Sequence, residues 1–260
     1  MKNIIRVPSQ SELEKLRLLL STYQNGTGQL ATEEGSTLPG WRDFERAAAL
    51  AFGGEAQESK AIFDVLIPDP ARPGLKYGLS CKMRGELNRI DKDGRVTIEL
   101  SNSAGEFWDH LRTKGINQTN YKSKPMDVGV SLIEVIRRWH EKVDSRKGGN
   151  VDIAGSSYLV LSWNRKGWYQ LHQFPLELPD PTTLKWYFPK ASVRHLNGDD
   201  SEGSIFEWYG ESGGQLKYYP LARNAVWSSA RFRLESGKFE SILDKVARYF
   251  SEQWEKAQRL

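Results

Sequence analysis

WRDFERAAALAF (41–52), AIFDVLIP (61–68) and LKYGLSCKM (75–83) decide the fold. The first has helical periodicity, with Ser36 or Thr37 ahead of it as caps and Pro39 near its start. Gly53-Gly54 break it. The second segment is predicted to be a buried strand stopped by Pro68, and DPARPG (69–74) a turn into a second strand. Strand side chains alternate faces, so Ser80 and Lys82 share one face while Leu79 and Cys81 share the other. Phe63 and Val65 are likewise expected to point away from Asp64. If the strands pair, Asp64 and Lys82 meet on one surface and Glu45 reaches in from the helix.

Such a group suits one chemistry. Carboxylate oxygens hold a hard divalent cation such as Mg2+, usually with waters. A lysine beside them positions or deprotonates a water and offsets charge on a phosphate. Glu45, Asp64 and Ser80-Cys81-Lys82 resemble the active-site motif of the PD-(D/E)XK nucleases, and the whole chain resembles a type II restriction endonuclease. That resemblance implies a restriction-endonuclease-like α/β core, with a mixed central β-sheet flanked by helices. It also implies a bound Mg2+ on Asp64, a second carboxylate and the backbone carbonyl of Cys81. Lys82 then orients the attacking water, and Ser80 hydrogen-bonds to a metal water or a phosphate.

Two positions depart from the family pattern. Ser80 stands where Asp or Glu is usual, and Phe63 stands where Pro is usual. A serine there is similar to the subgroup whose second metal-binding carboxylate has moved elsewhere. Glu45 is the first candidate for it, Glu99 and Glu106 follow as alternative carboxylates, and Glu86 comes last. Taken singly, each residue has a plainer reading. Asp64 is then a strand-end hydrogen-bonding group, Lys82 a solvated edge-strand lysine and Glu45 a charge on a wet helix face.

Outward from this stretch, 260 residues allow one large domain or two small ones. The expected division is a nuclease core with N-terminal helices over 1–155, then a β-rich region and closing helix over 156–260. One continuous domain is the alternative. No apolar run reaches membrane-spanning length and MKNIIRVPSQ lacks a signal-peptide pattern, so the expectation is a cytoplasmic protein without membrane contact. The single cysteine, Cys81, excludes an internal disulfide and zinc-finger spacing, and the four histidines are scattered. A net charge of +4 and a pI near 9.0 permit nucleic-acid binding without establishing it.

Helices are also predicted over 9–22, 101–115 with Ser101 or Ser103 as cap, and 127–149, with a closing one over 236–260. The last carries an apolar stripe of Phe239, Ile242, Leu243, Val246, Tyr249 and Phe250. Residues 25–40 are predicted to be a loop, and 117–124 a polar segment suited to phosphate contact or plain solvation. ELNRI-DKDG-RVTIEL (86–100) is predicted to be a hairpin turning at Asp93-Gly94. SSYLVLSWNRKGWYQLHQFPL (156–176) is predicted to be a second, turning over 164–167 with an apolar central strand.

Residues 180–235 interleave Trp and Tyr with Lys and Arg. Basic groups neutralise phosphates, Arg reads guanine edges, and aromatic rings wedge into distorted DNA. Candidate contacts to double-stranded DNA are Lys190, Arg194, His195, Lys217, Arg223, Asn224, Arg231 and Arg233. The plainer alternative is a β layer packed by its aromatic rings, with its cations in water. The resemblance adds host defence, a cognate DNA methyltransferase protecting the same sequence, and a homodimer whose two-fold axis matches a palindromic site. Two other classes stay open. One is a structure-specific repair or junction nuclease; the other is a non-catalytic DNA-binding protein on the same fold.

Overall fold

The computed structural model describes residues 6–32, 37–57, 62–101, 104–190, 194–237 and 240–258. The chain opens with α1 (Gln10–Thr22), capped by Ser9 in a reciprocal box with Glu12. Two short strands follow, β1 (Leu30–Ala31) and β2 (Thr37–Leu38), which pair antiparallel inside the segment expected to be a loop. Thr37 is therefore a strand residue, and α2 (Trp41–Phe52) is capped at Gly40 instead. The buried Asp43 carboxylate accepts from Gly40 N and Gln29 N, tying that loop to the helix start. The other expected cap, Ser36, lies outside the described residues.

Next come β3 (Glu55–Ala56), β4 (Val65–Pro68) and β5 (Lys76–Arg84). The hairpin expected over 86–100 is absent. Leu87 and Ile90 are buried one helical turn apart, and the segment folds as α3 (Leu87–Asp93). Gly94, with φ of 71°, is its left-handed C-terminal cap. Then follow β6 (Ile98–Ser101), α4 (Ala104–Thr113) and α5 (Pro125–Val143). Ser101 ends a strand and does not cap α4, while Ser103 lies outside the described residues. α5 stops at Val143 because Asp144 turns extended, and 145–147 form a separate 3-10 turn.

β7 (Ser157–Trp163) and β8 (Trp168–Pro175) form the expected hairpin. Asn164 Oδ1 accepts from Lys166 N and Trp168 N, and Gly167 supplies φ of 77°. Short strands follow: β9 (Lys185–Tyr187), β10 (Leu196–Asp200), β11 (Gly203–Trp208), β12 (Leu216–Tyr218), β13 (Trp227–Ser228) and β14 (Phe232–Arg233). The single closing helix is replaced by α6 (Ile242–Tyr249) and α7 (Ser251–Gln258), which break at Phe250. Ile242, Leu243, Tyr249 and Phe250 are exposed, and Phe239 lies outside the described residues.

The architecture is α/β, with a mixed sheet flanked by helices. Its strand order is β13-β8-β7-β5-β4-β3, with β14 also on β8. β5 and β7 run parallel and the other pairs antiparallel. A second, antiparallel sheet has the order β6-β12-β11-β10-β9. Each sheet draws strands from both sides of residue 155: β7 and β8 join β5, and β6 joins β12.

Alternation along β5 separates two cores. Leu79 and Cys81 pack with Leu159, Leu161 and Leu171 against Phe44, Ala48 and Phe52 of α2 and Leu16 and Leu20 of α1. The opposite face meets α4, α5 and the inner face of the second sheet through Tyr158, Val160, Phe174, Ile133, Phe206 and Trp208. Each fully buried Leu or Phe stabilises such a layer by roughly 1.5–3 kcal/mol. Ser80, Lys82 and Arg84 lie on this second face, beside Tyr158, Val160 and Ser162 in the parallel register.

Candidate active site

Regular strand geometry begins only at Val65, and the irregular step before it positions Asp64. Val65 joins the core beneath α2, but Phe63 joins the other one, so the two do not share a face as expected. The reason is Gly78. A Cβ there would stand 2.4 Å from Phe63 Cγ, so the ring lies where Gly78 has no side chain and stacks on His140 at 6.2 Å. Asp64 N still donates to Leu79 O at 3.0 Å, which anchors Asp64 against β5.

The Asp64 carboxylate then meets the Ser-Cys-Lys run. Its Oδ2 accepts from Cys81 N at 2.7 Å and lies 3.1 Å from Lys82 Nζ, with Ser80 Oγ at 3.5 Å. Lys82 Nζ also donates to Ser80 Oγ at 2.9 Å and to Cys81 O at 3.0 Å. Three oxygens thus converge on one cation, the ammonium itself. The Asp64 and Lys82 side chains are 17 % and 21 % exposed, so the pair is reachable from solvent yet largely shielded.

These residues line a cleft of about 900 Å³. Glu45 and Trp41 line it from the first turns of α2, Glu99 and Ser101 from β6, and Glu106 from α4. Asp64, Ser80, Lys82, Glu45, Glu99 and Glu106 are therefore brought to one cavity. Glu99 Oε1 is 2.6 Å from Arg84 Nη2 and accepts from Gln215 Nε2 at 2.8 Å. Glu106 Oε2 accepts from Trp139 Nε1 at 2.7 Å. Glu86 is not in the cleft: it accepts from Thr97 N and pairs with Arg89, bracing α3. Glu45 is half-buried and close enough for its charge, with that of Asp64, to act on the Cys81 thiol.

Cys81 itself is buried, and burial pushes its thiol well above the usual range, so its side chain supports packing and not nucleophilic attack. α5 supplies cleft residues that no sequence signal announced: Trp139, His140 and Lys142. Burial holds His140 down to about 4, so it is neutral at neutral pH. Tyr158, beside Ser80 on β7, completes the floor, and burial raises its phenol.

No family profile matches the chain, and no curated protein or solved structure matches it either.

Among the described residues, no three His, Cys, Asp or Glu side chains converge as a ready metal site. The donor chemistry nevertheless fits a hard cation. The oxygens of Asp64, Ser80 and Cys81 already surround a positive charge, and Glu45 lines the same cleft.

The basic residues of 180–235 lie on several elements. Lys217 of β12 sits opposite Glu99 in the register, next to the cleft, with its ammonium 4.4 Å from the Tyr209 ring centre. His195 packs against the same tyrosine at 4.0 Å and lies 3.3 Å from Glu207. Lys190 and Arg194 are exposed in the connection before β10. Arg223 pairs with Glu202, and Asn224 is exposed in the adjoining 3-10 turn. Arg231 pairs with Asp91 of α3, and Arg233 lies over Trp168 at 4.5 Å, both at the β8 edge of the central sheet. Among the described residues, no helix is long and apolar enough to cross a membrane.

Proposed function

We propose that the protein is a Mg2+-dependent endonuclease that hydrolyses phosphodiester bonds of double-stranded DNA at a defined sequence, on a restriction-endonuclease-like core. The observation that carries this reading is the Asp64–Lys82–Ser80 group on the cleft floor, with Glu45 lining the same cavity.

Asp64, Glu45 and the Cys81 carbonyl are the groups that would hold the ion. Bound there, Mg2+ supplies a Lewis acid for a phosphoryl oxygen and a more acidic water. Lys82 donates hydrogen bonds that orient the attacking water and offsets charge building on the phosphate. Ser80 fixes the ammonium through a 2.9 Å hydrogen bond and offers its hydroxyl to a water or a phosphate oxygen. Neutral His140 and buried Tyr158 add no charge beside the reacting group. The reading extends to host defence in the cytoplasm, a symmetric homodimer on a palindromic site, and a methyltransferase that modifies the same sequence.

Digestion of an unmethylated plasmid tests it. Discrete fragments with Mg2+ and intact DNA with EDTA are expected. Nicks confined to branched or damaged substrates would replace it with a structure-specific nuclease. Binding without cutting in any divalent metal would replace it with a DNA-binding protein.

A further inference from the structure

Ser80, Lys82 and Arg84 form one row on β5. Arg84 stands at the end of that row, where the cleft meets the outer face of the second sheet. Its Nη2 is 2.6 Å from Glu99 Oε1, and Gln215 Nε2 donates to the same oxygen at 2.8 Å. Glu99 of β6 thus holds the guanidinium, and Gln215, just before β12, braces Glu99. On β12, Lys217 sits on Tyr209 with its ammonium 3.3 Å from the hydroxyl, which donates to Glu207 Oε2 at 2.6 Å.

We propose that Arg84 binds the DNA phosphate next to the one cleaved, with Glu99 as its positioning residue. The inference rests on the nuclease reading. Two residues along a strand span about 6.6 Å, which is the scale separating neighbouring phosphates of one DNA strand. A guanidinium offers five donors in a planar fork that matches phosphate oxygens two at a time, and Glu99 lies 2.6 Å from its Nη2. Glu99 is accordingly a partner of Arg84 and not the missing metal carboxylate. The Glu99 charge is divided between Arg84 and the Gln215 amide, which weakens its repulsion of an incoming phosphate.

The test uses a labelled duplex in EDTA, where binding is read without cleavage, at several salt concentrations. Arg84→Ala is expected to weaken binding about 10- to 100-fold and to lower the salt slope by about 1. Arg84→Lys should restore the slope but only part of the affinity, because the charge returns without the fork. Glu99→Gln should keep the slope and loosen binding. In Mg2+ the Arg84→Ala loss should fall mainly on KM, with Lys256→Ala on α7 as an unaffected control. An unchanged slope and KM in folded Arg84→Ala, or a loss in kcat alone, overturns this inference while leaving the nuclease reading standing. A wild type that does not bind DNA overturns both.

Discussion

Lys82 Nζ lies 3.1 Å from Asp64 Oδ2, and the same ammonium donates to Ser80 and to the Cys81 carbonyl. The lysine thus occupies a cradle of three oxygens and offsets the negative charge of the one carboxylate among them, Asp64. Removing it changes charge and orientation together but leaves the fold, because the side chain belongs to neither core. Lys82→Ala is expected to lower kcat about 10²- to 10⁴-fold with DNA binding in EDTA retained. Joint loss of binding and cleavage in a folded variant would make Lys82 a contact residue only.

Glu45 lines the cleft with Asp64, and both charges act on the Cys81 thiol, whereas Glu99 holds Arg84 and Glu106 accepts from Trp139. Calorimetric titration with Mg2+ should therefore lose its binding heat in Glu45→Gln and Asp64→Asn but keep it in Glu106→Gln. Retained binding in Glu45→Gln would move the second carboxylate elsewhere.

Alternation alone made the β5 face legible: Ser80 and Lys82 against Leu79 and Cys81 follows from a two-residue period. The order of helix, Asp64 strand and Lys82 strand likewise placed Glu45 at the cleft. Asp93-Gly94 misled, because the same dipeptide suits a hairpin turn and a helix stop, and only the burial of Leu87 and Ile90 decides between them. Phe63 was misjudged because its ring goes where Gly78 leaves room on a different strand. Arg84, Trp139 and His140 were not legible as cleft residues at all. Their role comes from the approach of β6 and α5 to β5, which no local pattern encodes.

That Phe63–Gly78 contact makes a direct test of how the fold supports the site. A Cβ at Gly78 meets the ring at 2.4 Å, within a packed core. Gly78→Ala is expected to cost about 1–3 kcal/mol in urea unfolding and to lower cleavage by displacing the residue before Asp64. Unchanged stability would show that the ring moves freely.

Two histidines set an acid limit. Burial holds His140 and His172 down to about 4, against roughly 6.5 in an unfolded chain. Between those values the unfolded chain binds more protons than the folded one. Stability is thus full above the upper value, falls as pH drops through the window, and levels off below the lower one. Each histidine should account for on the order of 1 to 3 kcal/mol of that loss. Urea unfolding across the window checks it, and His140→Phe, which keeps the stack on Phe63, should flatten the slope.

The Cys81 thiol is buried and held protonated, so a thiol reagent should modify native protein far more slowly than urea-unfolded protein. Rapid native modification with loss of cleavage would contradict its assignment to the core.

The central claim is that Asp64 and its partners on β5 do the chemistry. Its most direct test compares wild type with folded Asp64→Asn on unmethylated plasmid in Mg2+. Discrete fragments from the wild type and intact DNA from the variant are expected. Equal cutting by both would place the chemistry elsewhere in the molecule, and no cutting by the wild type would remove the nuclease assignment itself.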